Sequence, residues 1–398
     1  MARDDRLRKL RKLFDGDHRE YFDATAEMEV AANWFRRTAL FWADLMLAYP
    51  PEVIGLEDSV WEAVRPSLLD ALYEAVVDMV RYGVGLLRGR AEVEGGPVVD
   101  SVDPRSWYPL PGYTGDVVLS PMGEEIDVLL LEPDSIVRRR YVLEGESGLG
   151  SLIESEVSAP VGERTVVALP RRPAAGEWGQ SMYPDMLPAA VEITRRLSLN
   201  SKTLNEHSDP LLVLRRDPRA VPMDIFTPDS PADAAMRFSV ETFYLNGWRR
   251  GAVGVLPEEY IDATYVTWDA QMQPAFRQIE EVENVMFAAT AMPAALHGVL
   301  RGGAVNSGQA LRRVFAPTYV HLRTLQESLK PRVAQACRVA ALAAGHSVAE
   351  KLEVEWDNPL DRLDEQRIVQ GDRAAVEGDT EEEPIPESAD IGGAEAAP

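Results

Sequence analysis

The sequence predicts a mixed α+β, helix-rich fold, and three observations carry that reading. Stretches with apolar residues at three- and four-residue spacing fill residues 1 to about 95 and 271 to about 345. Between them, from Ala91 to Pro173, short apolar runs alternate with Gly and Pro, the pattern of an antiparallel β region. At 398 residues the chain also exceeds the usual size of one domain, so two or more structural regions are expected.

Residues 1 to about 95 read as mainly helical. One helix is predicted from Ala31 to Ala48, stopped by Pro50-Pro51, which cannot continue it. A second runs from Pro66 to Gly83, with Leu68, Leu69, Leu72, Val76, Met79 and Val80 at helical spacing. Tyr82 to Arg90 (YGVGLLRGR) reads as the first strand of a sheet. The β region follows with IDVLLLEP, SIVRRRYVLEG and RTVVALP as further strands. Helix returns from Met186 to Asn205 and ends by Pro210. Residues 211 to 268 are mixed: LLVLRR is a strand, 218–231 is Pro-rich, and AVGVLP with YIDATYVTW reads as a strand pair.

From Gln271, Phe276, Ile279, Val282, Met286 and Ala289 recur at helical spacing, while Glu280, Glu281 and Glu283 cover other faces. This helix should end near Met292-Pro293. A Gly-rich loop, HGVLRGGAVNSG, follows, and Ser307 or Asn306 can cap the next helix. That helix carries Leu311, Val314, Phe315, Leu322, Leu325, Leu329 and Val333, with Pro317 and Pro331 as kink points. KLEVEW is a short strand, and the acidic, aromatic-free segment 371–398 reads as a disordered tail.

Composition narrows the function. Sixty-five acidic residues stand against 41 basic ones, a formal net charge of −24, which disfavours tight non-specific grip on phosphate. Solubility and self-repulsion account for such a balance, and so does a surface that DNA passes without sticking. The single cysteine, Cys337, excludes an intramolecular disulfide and reads as a small buried apolar residue. No secretory signal follows the basic N-terminus. The longest uncharged run, Asn284 to Leu300, is shorter than the ~20 apolar residues a membrane span needs, so no membrane role is expected.

Catalytic signatures are sparse. No G-x-x-x-x-G-K-[ST] phosphate loop occurs. GVGLLRG, Gly83 to Gly89, is one residue off a dinucleotide fingerprint and lacks the strand-to-helix context. GESGLG lacks the second Gly of a nucleophile elbow. The histidines at 18, 207, 297, 321 and 346 have no i,i+4 pair, so neither metal nor cofactor is expected. Trp34, Trp42, Trp107 and Trp268 read as core or interface anchors rather than stacking platforms for bases. The arginine pairs 36–37, 171–172, 215–216, 249–250 and 312–313 are dispersed, which suits salt bridges as well as phosphate.

The order of elements resembles the bacteriophage portal (head-to-tail connector) family. SDPLLVL after the Met186 helix, IEEVENVMFAATAMPAALHG ending in a Met-Pro pair, and NSGQALRR resemble that family's strings in kind and in order. DGDHREYF and NWFRR…PPEV are similar to its opening helices. The resemblance spans most of residues 15–370. It implies a portal-type subunit: an α/β wing (1–183), a stem helix (184–207), a small α/β clip (208–270), a second stem helix (271–292), a tunnel loop (293–307), and a long kinked helix returning to the wing (308–370). The C-terminus departs from it, because an acidic tail (371–398) stands where many portals have a helical crown.

What the resemblance implies for function is a non-enzymatic, ring-shaped DNA channel at a capsid vertex of the virion, for genome packaging and ejection, assembled in host cytoplasm. Its partners would be its own copies, typically about twelve in a closed ring with heterologous contacts, double-stranded DNA, terminase, a head–tail adaptor and the major capsid protein. The candidate channel residues are Arg301, a cation on a flexible backbone, with Gly302, Gly303 and Asn306. Ser307, Gly308, Ala310 and Leu311 match the family's motif after that loop. The competing readings are another head–tail adaptor or minor head protein, and an enzyme built on a carboxylate pair, for which no spaced pair stands out.

Overall fold

The computed structural model describes residues 2–17, 32–92, 95–144, 148–172, 178–208, 211–216, 242–244, 260–266, 272–292, 308–349 and 351–358. They form helices α1 (Ala2–Asp15), α2 (Trp34–Leu47), α3 (Asp58–Tyr82), α4 (Tyr183–Ser208), α5 (Met272–Ala289) and α6 (Gly308–Ala343). The strands are β1 (Glu52–Ile54), β2 (Val84–Ala91), β3 (Pro97–Ser101), β4 (Trp107–Pro109), β5 (Asp116–Met122), β6 (Glu125–Glu132), β7 (Ser135–Glu144), β8 (Gly148–Ser158), β9 (Val166–Pro170), β10 (Leu211–Arg216), β11 (Thr242–Tyr244), β12 (Tyr260–Val266) and β13 (Glu353–Glu355). The fold is mixed, with helices and antiparallel sheets. The chain divides into one unit of Met1–Arg11, Phe35–Tyr183 and Val299–Pro398, and another of Lys12–Trp34 and Pro184–Gly298.

The first unit is layered. Its middle layer is the antiparallel sheet β3-β2-β9. Alternation along β2 puts Gly85, Leu87 and Gly89 on one face and Val84 and Leu86 on the other. Helix α3 lies on the first face at Gly85, where an added Cβ would stand 1.9 Å from the Ala75 carbonyl oxygen. Helix α6 lies on the same face at Gly89, where a Cβ would meet the Ala340 nitrogen at 2.6 Å and the Ala336 oxygen at 2.7 Å. Two glycines that mimic part of a nucleotide fingerprint are thus sites of helix-to-strand contact. The opposite face packs Val84, Leu86, Val166 and Ala168 against Trp107, Val118 and Leu131 of the outer layer.

That outer layer is the five-stranded meander β4-β5-β6-β7-β8. Register separates its two faces. Trp107↔Val118↔Leu129 and Asp116↔Leu131↔Ile136 line the inner one. Tyr108↔Val117↔Leu130↔Val137↔Val157 line the outer one. Inner-face polar groups are ion-paired: Asp116, with 0% of its surface exposed, accepts from Trp107 Nε1 at 2.7 Å and from both Nε and Nη2 of Arg164 at 2.7 Å. Asp127 takes Arg138 and Arg140, whose hydrogen bonds, that of Arg140 foremost, hold its carboxyl below the usual range. Asp100 on β3 accepts hydrogen bonds from Arg88 and Arg90 on β2. Arg3 of α1 donates to the Pro104 and Trp107 carbonyls and lies over the rings of Tyr108 and Trp178 at 4.3 and 4.4 Å.

Helix α3 starts at Asp58, eight residues before the expected Pro66. Val60, Val64 and Leu68 continue one buried stripe through the proline, and their burial outweighs the missing hydrogen bond. Strand β13 pairs antiparallel with β1, closed by Trp356 donating to the Met46 carbonyl at 3.0 Å. In the second unit, β10 is the central strand of β11-β10-β12. β12 pairs with β10, and AVGVLP, its expected partner, lies outside the described residues. The tail 371–398 also lies outside them.

Candidate functional site

The segments that lead into and out of 293–307 can be built from their own residues, each within its own unit. In the second unit, α5 buries Ile279, Met286 and Phe287, with Trp34 edge-on to Phe287 at 6.4 Å between ring centroids. Arg196 of α4 donates to Glu192 at 2.6 Å and to the Gln278 side chain of α5.

The end of α5 is a Schellman cap. Met292 N–H donates to the Phe287 carbonyl at 2.9 Å, Ala291 N–H to Ala288 at 3.3 Å, and Ala291 is left-handed at φ 53°. An alanine there carries strain of about 1 kcal/mol that glycine would not. Ala291→Gly is expected to stabilise the full chain by roughly 0.5–1 kcal/mol, read as a higher denaturation midpoint. An unchanged or lowered midpoint would contradict that account.

In the first unit, α6 runs 36 residues through Pro317 and Pro331. It is tied down along its length. Arg332 donates to the Ala168 carbonyl of β9, Arg338 to Glu163 at 2.8 Å, and Gln326 to the Asp357 carbonyl at 3.2 Å. His321 stands 5.0 Å from Trp42. Burial, helped by Arg171 and Arg172, holds its imidazole down at about 4, so it is neutral at physiological pH. Cys337 is fully buried, and burial pushes its thiol up to about 12, which leaves it inert.

Arg301, Gly302, Gly303, Asn306 and Ser307 lie outside the described residues. Gly308, Ala310 and Leu311 form the first turn of α6. Among the anchors, Trp42 and Trp107 are fully buried, and Trp268 lies outside the described residues.

Two features of the first unit were not anticipated. One is a cavity of about 630 Å³ lined by Arg88, Ser101, Asp103, Arg105, Ser106 and Ser120 among others. Its cations already have carboxylate partners: Arg105 grips Asp103 at 2.6 Å and Arg88 grips Asp100 at 2.6 Å. Beside Asp103 lies the buried pair Asp78 and Arg81. Burial pushes the Asp78 carboxyl up to about 7 against the pull of Arg81, and Asp103 and Glu74 add to the rise. Asp78 therefore binds a proton on folding, and its contribution is fully present below the unfolded value near 4 and lost as pH rises through about 7. Relative to Asp78→Asn, the wild type should lose stability on the order of a few kcal/mol between those limits. Parallel denaturation curves for the two proteins across that range would refute this.

The other feature is the partly exposed outer face of the meander. Its sequence signal was the run Val128-Leu129-Leu130-Leu131, which lacks the alternation of a strand with one wet face. Among the described residues there is no group of three or more His, Cys, Asp or Glu placed to hold a metal ion, and no helix is long and apolar enough to cross a membrane.

No protein-family model matches the sequence, and no curated protein matches it. Among solved structures, the chain is similar to a chain of the virion of a native gene transfer agent particle. That likeness covers 94% of this chain and 90% of the other at 12% identity, with a TM-score of 0.51, and it shows a shared fold. A chain in the neck of an empty gene transfer agent particle, computed with C6 symmetry, aligns over 87% of both chains at 14% identity and TM-score 0.49. An HK97 family phage portal protein from Corynebacterium diphtheriae aligns over 83% of this chain and 93% of its own at 12% identity and TM-score 0.38.

Proposed function

We propose that this chain, whose fold is that of a protein of the gene transfer agent virion, is a portal subunit: a ring-forming DNA channel at a capsid vertex. The observation that carries the proposal is the extent of that likeness, which takes in nearly the whole of both chains and so both units. It agrees with the order of elements that the sequence resemblance rests on. The ring is formed by about twelve copies through heterologous contacts, and it docks terminase, a head–tail adaptor and the major capsid protein. It assembles in host cytoplasm and resides in the virion.

The channel acts without catalysis. Duplex must move through it in both directions, so strong phosphate binding would stall it, and a net charge of −24 opposes such binding. Arg301, next to Gly302 and Gly303 in the sequence, supplies the steering contact with phosphate. Mass determination of the purified chain, with class averages viewed down the symmetry axis, tests the ring: a closed ring near twelvefold supports the reading, and a stable monomer overturns it. Particles carrying Arg301→Ala should package or retain genomes measurably less well than wild type. Equal retention would remove Arg301 from the account and leave the ring in place.

A further inference from the structure

Resting on the ring reading, we infer that the outer face of the five-stranded meander, with its edge strand β8, is the surface on which a second copy of this chain docks.

The face is apolar where a solvated sheet face should be polar. Leu149, Leu152 and Val157 on β8 are 58, 52 and 71% exposed, and Val128, Leu130 and Tyr141 behind them are half-buried. Strand β8 is also the open edge of the sheet, eleven residues long and without Pro or Lys, and register turns its two glutamates, Glu154 and Glu156, to the opposite, inner face. An edge left in that state invites a partner.

Its size fits a protein partner. Four strands at about 4.8 Å spacing and seven residues at about 3.4 Å, with the three residues of β4, give a face of roughly 500 Å². That is at the upper end of the largest apolar patches on monomers, about 300–600 Å². It is about two-thirds of the ~800 Å² each partner contributes to a stable interface, and the β8 edge and rim can supply the rest.

Charge selects the occupant. The chain carries −24 overall, yet register places only Arg139 and, at the margin, Glu132 as charged strand residues on this face, with Arg3 of α1 over Tyr108 at its β4 end. Interface cores are depleted of charge in the same way. A duplex would need a run of cations, which the face lacks. A second acidic copy instead meets a surface free of most of its own repulsion, with Arg139 attracting its carboxylates. A one-sided patch also suits a heterologous ring, in which each copy offers this face to a different surface of the next.

The test is native mass determination of the full-length double variant Leu152→Glu, Val157→Glu against wild type, with circular dichroism to confirm folding. Both positions are more than half exposed in the subunit, so the variant should fold while its assembly midpoint shifts at least tenfold in concentration. Val320→Glu, 61% exposed on α6, should assemble like wild type. Hydrogen exchange on the wild type, assembled and dissociated by dilution, should show protection over 117–157 only in the assembly. A double variant that assembles like wild type, or an assembly with no protection there, overturns this docking and leaves the ring reading intact. Wild-type dimers that the double variant breaks would support the docking and sink the ring. A monomeric wild type sinks both, and protection that appears only with added major capsid protein gives the face to another partner and overturns the inference.

Discussion

Gly85→Ala should cost more than about 4 kcal/mol and leave most of the chain insoluble, because the atom it collides with cannot step aside. A Cβ at Gly85 would stand 1.9 Å from the Ala75 carbonyl oxygen and 2.6 Å from its carbon, both in the backbone of α3. Overpacking a core against movable side chains costs about 1–3 kcal/mol. Here either the strand or a helix in mid-span must shift, which places the change among the exceptional ones. Gly96→Ala, with nothing within 4 Å, should stay within about 0.5 kcal/mol. Soluble yield and the denaturant midpoint read both. A Gly85→Ala protein as stable as the Gly96→Ala control would mean that α3 and β2 are not in this contact.

The second large effect belongs to Asp116. Its carboxylate is fully buried, and Arg164 and the Trp107 indole both donate to it. Asp116→Ala removes the buried carboxylate that Arg164 and the Trp107 indole N–H share at the seam between the two sheet layers, so a loss of about 3–5 kcal/mol is expected. Asp116→Asn keeps an acceptor for Trp107 and loses the charge, and should fall between wild type and Asp116→Ala. Trp107 lies 4.7 Å from Trp178, so these two of the chain's eight tryptophans carry a fluorescence signal from the seam. If Asp116→Ala unfolds at the wild-type denaturant concentration, the buried pair contributes nothing net.

Helices were the legible part of this fold, because their burial pattern is local. The 3.6-residue stripe marks Trp34–Leu47 and Met272–Ala289 closely, whereas the helix expected from Pro66 extends back to Asp58 along Val60 and Val64. Strands were seen, and their partners were not. Strand β2 pairs with β9 some eighty residues on, and β1 with β13 about three hundred on. No spacing rule reports such a partner, since pairing is decided by which apolar faces meet. The inner and outer faces of the meander were likewise invisible until register fixed them.

The functional segment divides in the same way. Met292-Pro293 as a helix end and NSGQALRR as a helix start follow from cap chemistry, and α5 and α6 flank the segment at those points. The burial of Asp78 is not legible in the sequence, because a lone carboxylate in a helical stripe reads as solvated until its neighbours are known.

The contact of Gly89 with Ala336 and Ala340 also sets an order of events during synthesis. The strand is made about 250 residues before the helix that covers it, an interval of roughly 12–50 s at ribosomal speeds of about 5–20 residues per second. Throughout that time part of the helix-facing side of β2 waits for its cover. The first unit completes late, after the whole second unit has emerged, and the nascent chain needs shelter at this sheet for as long.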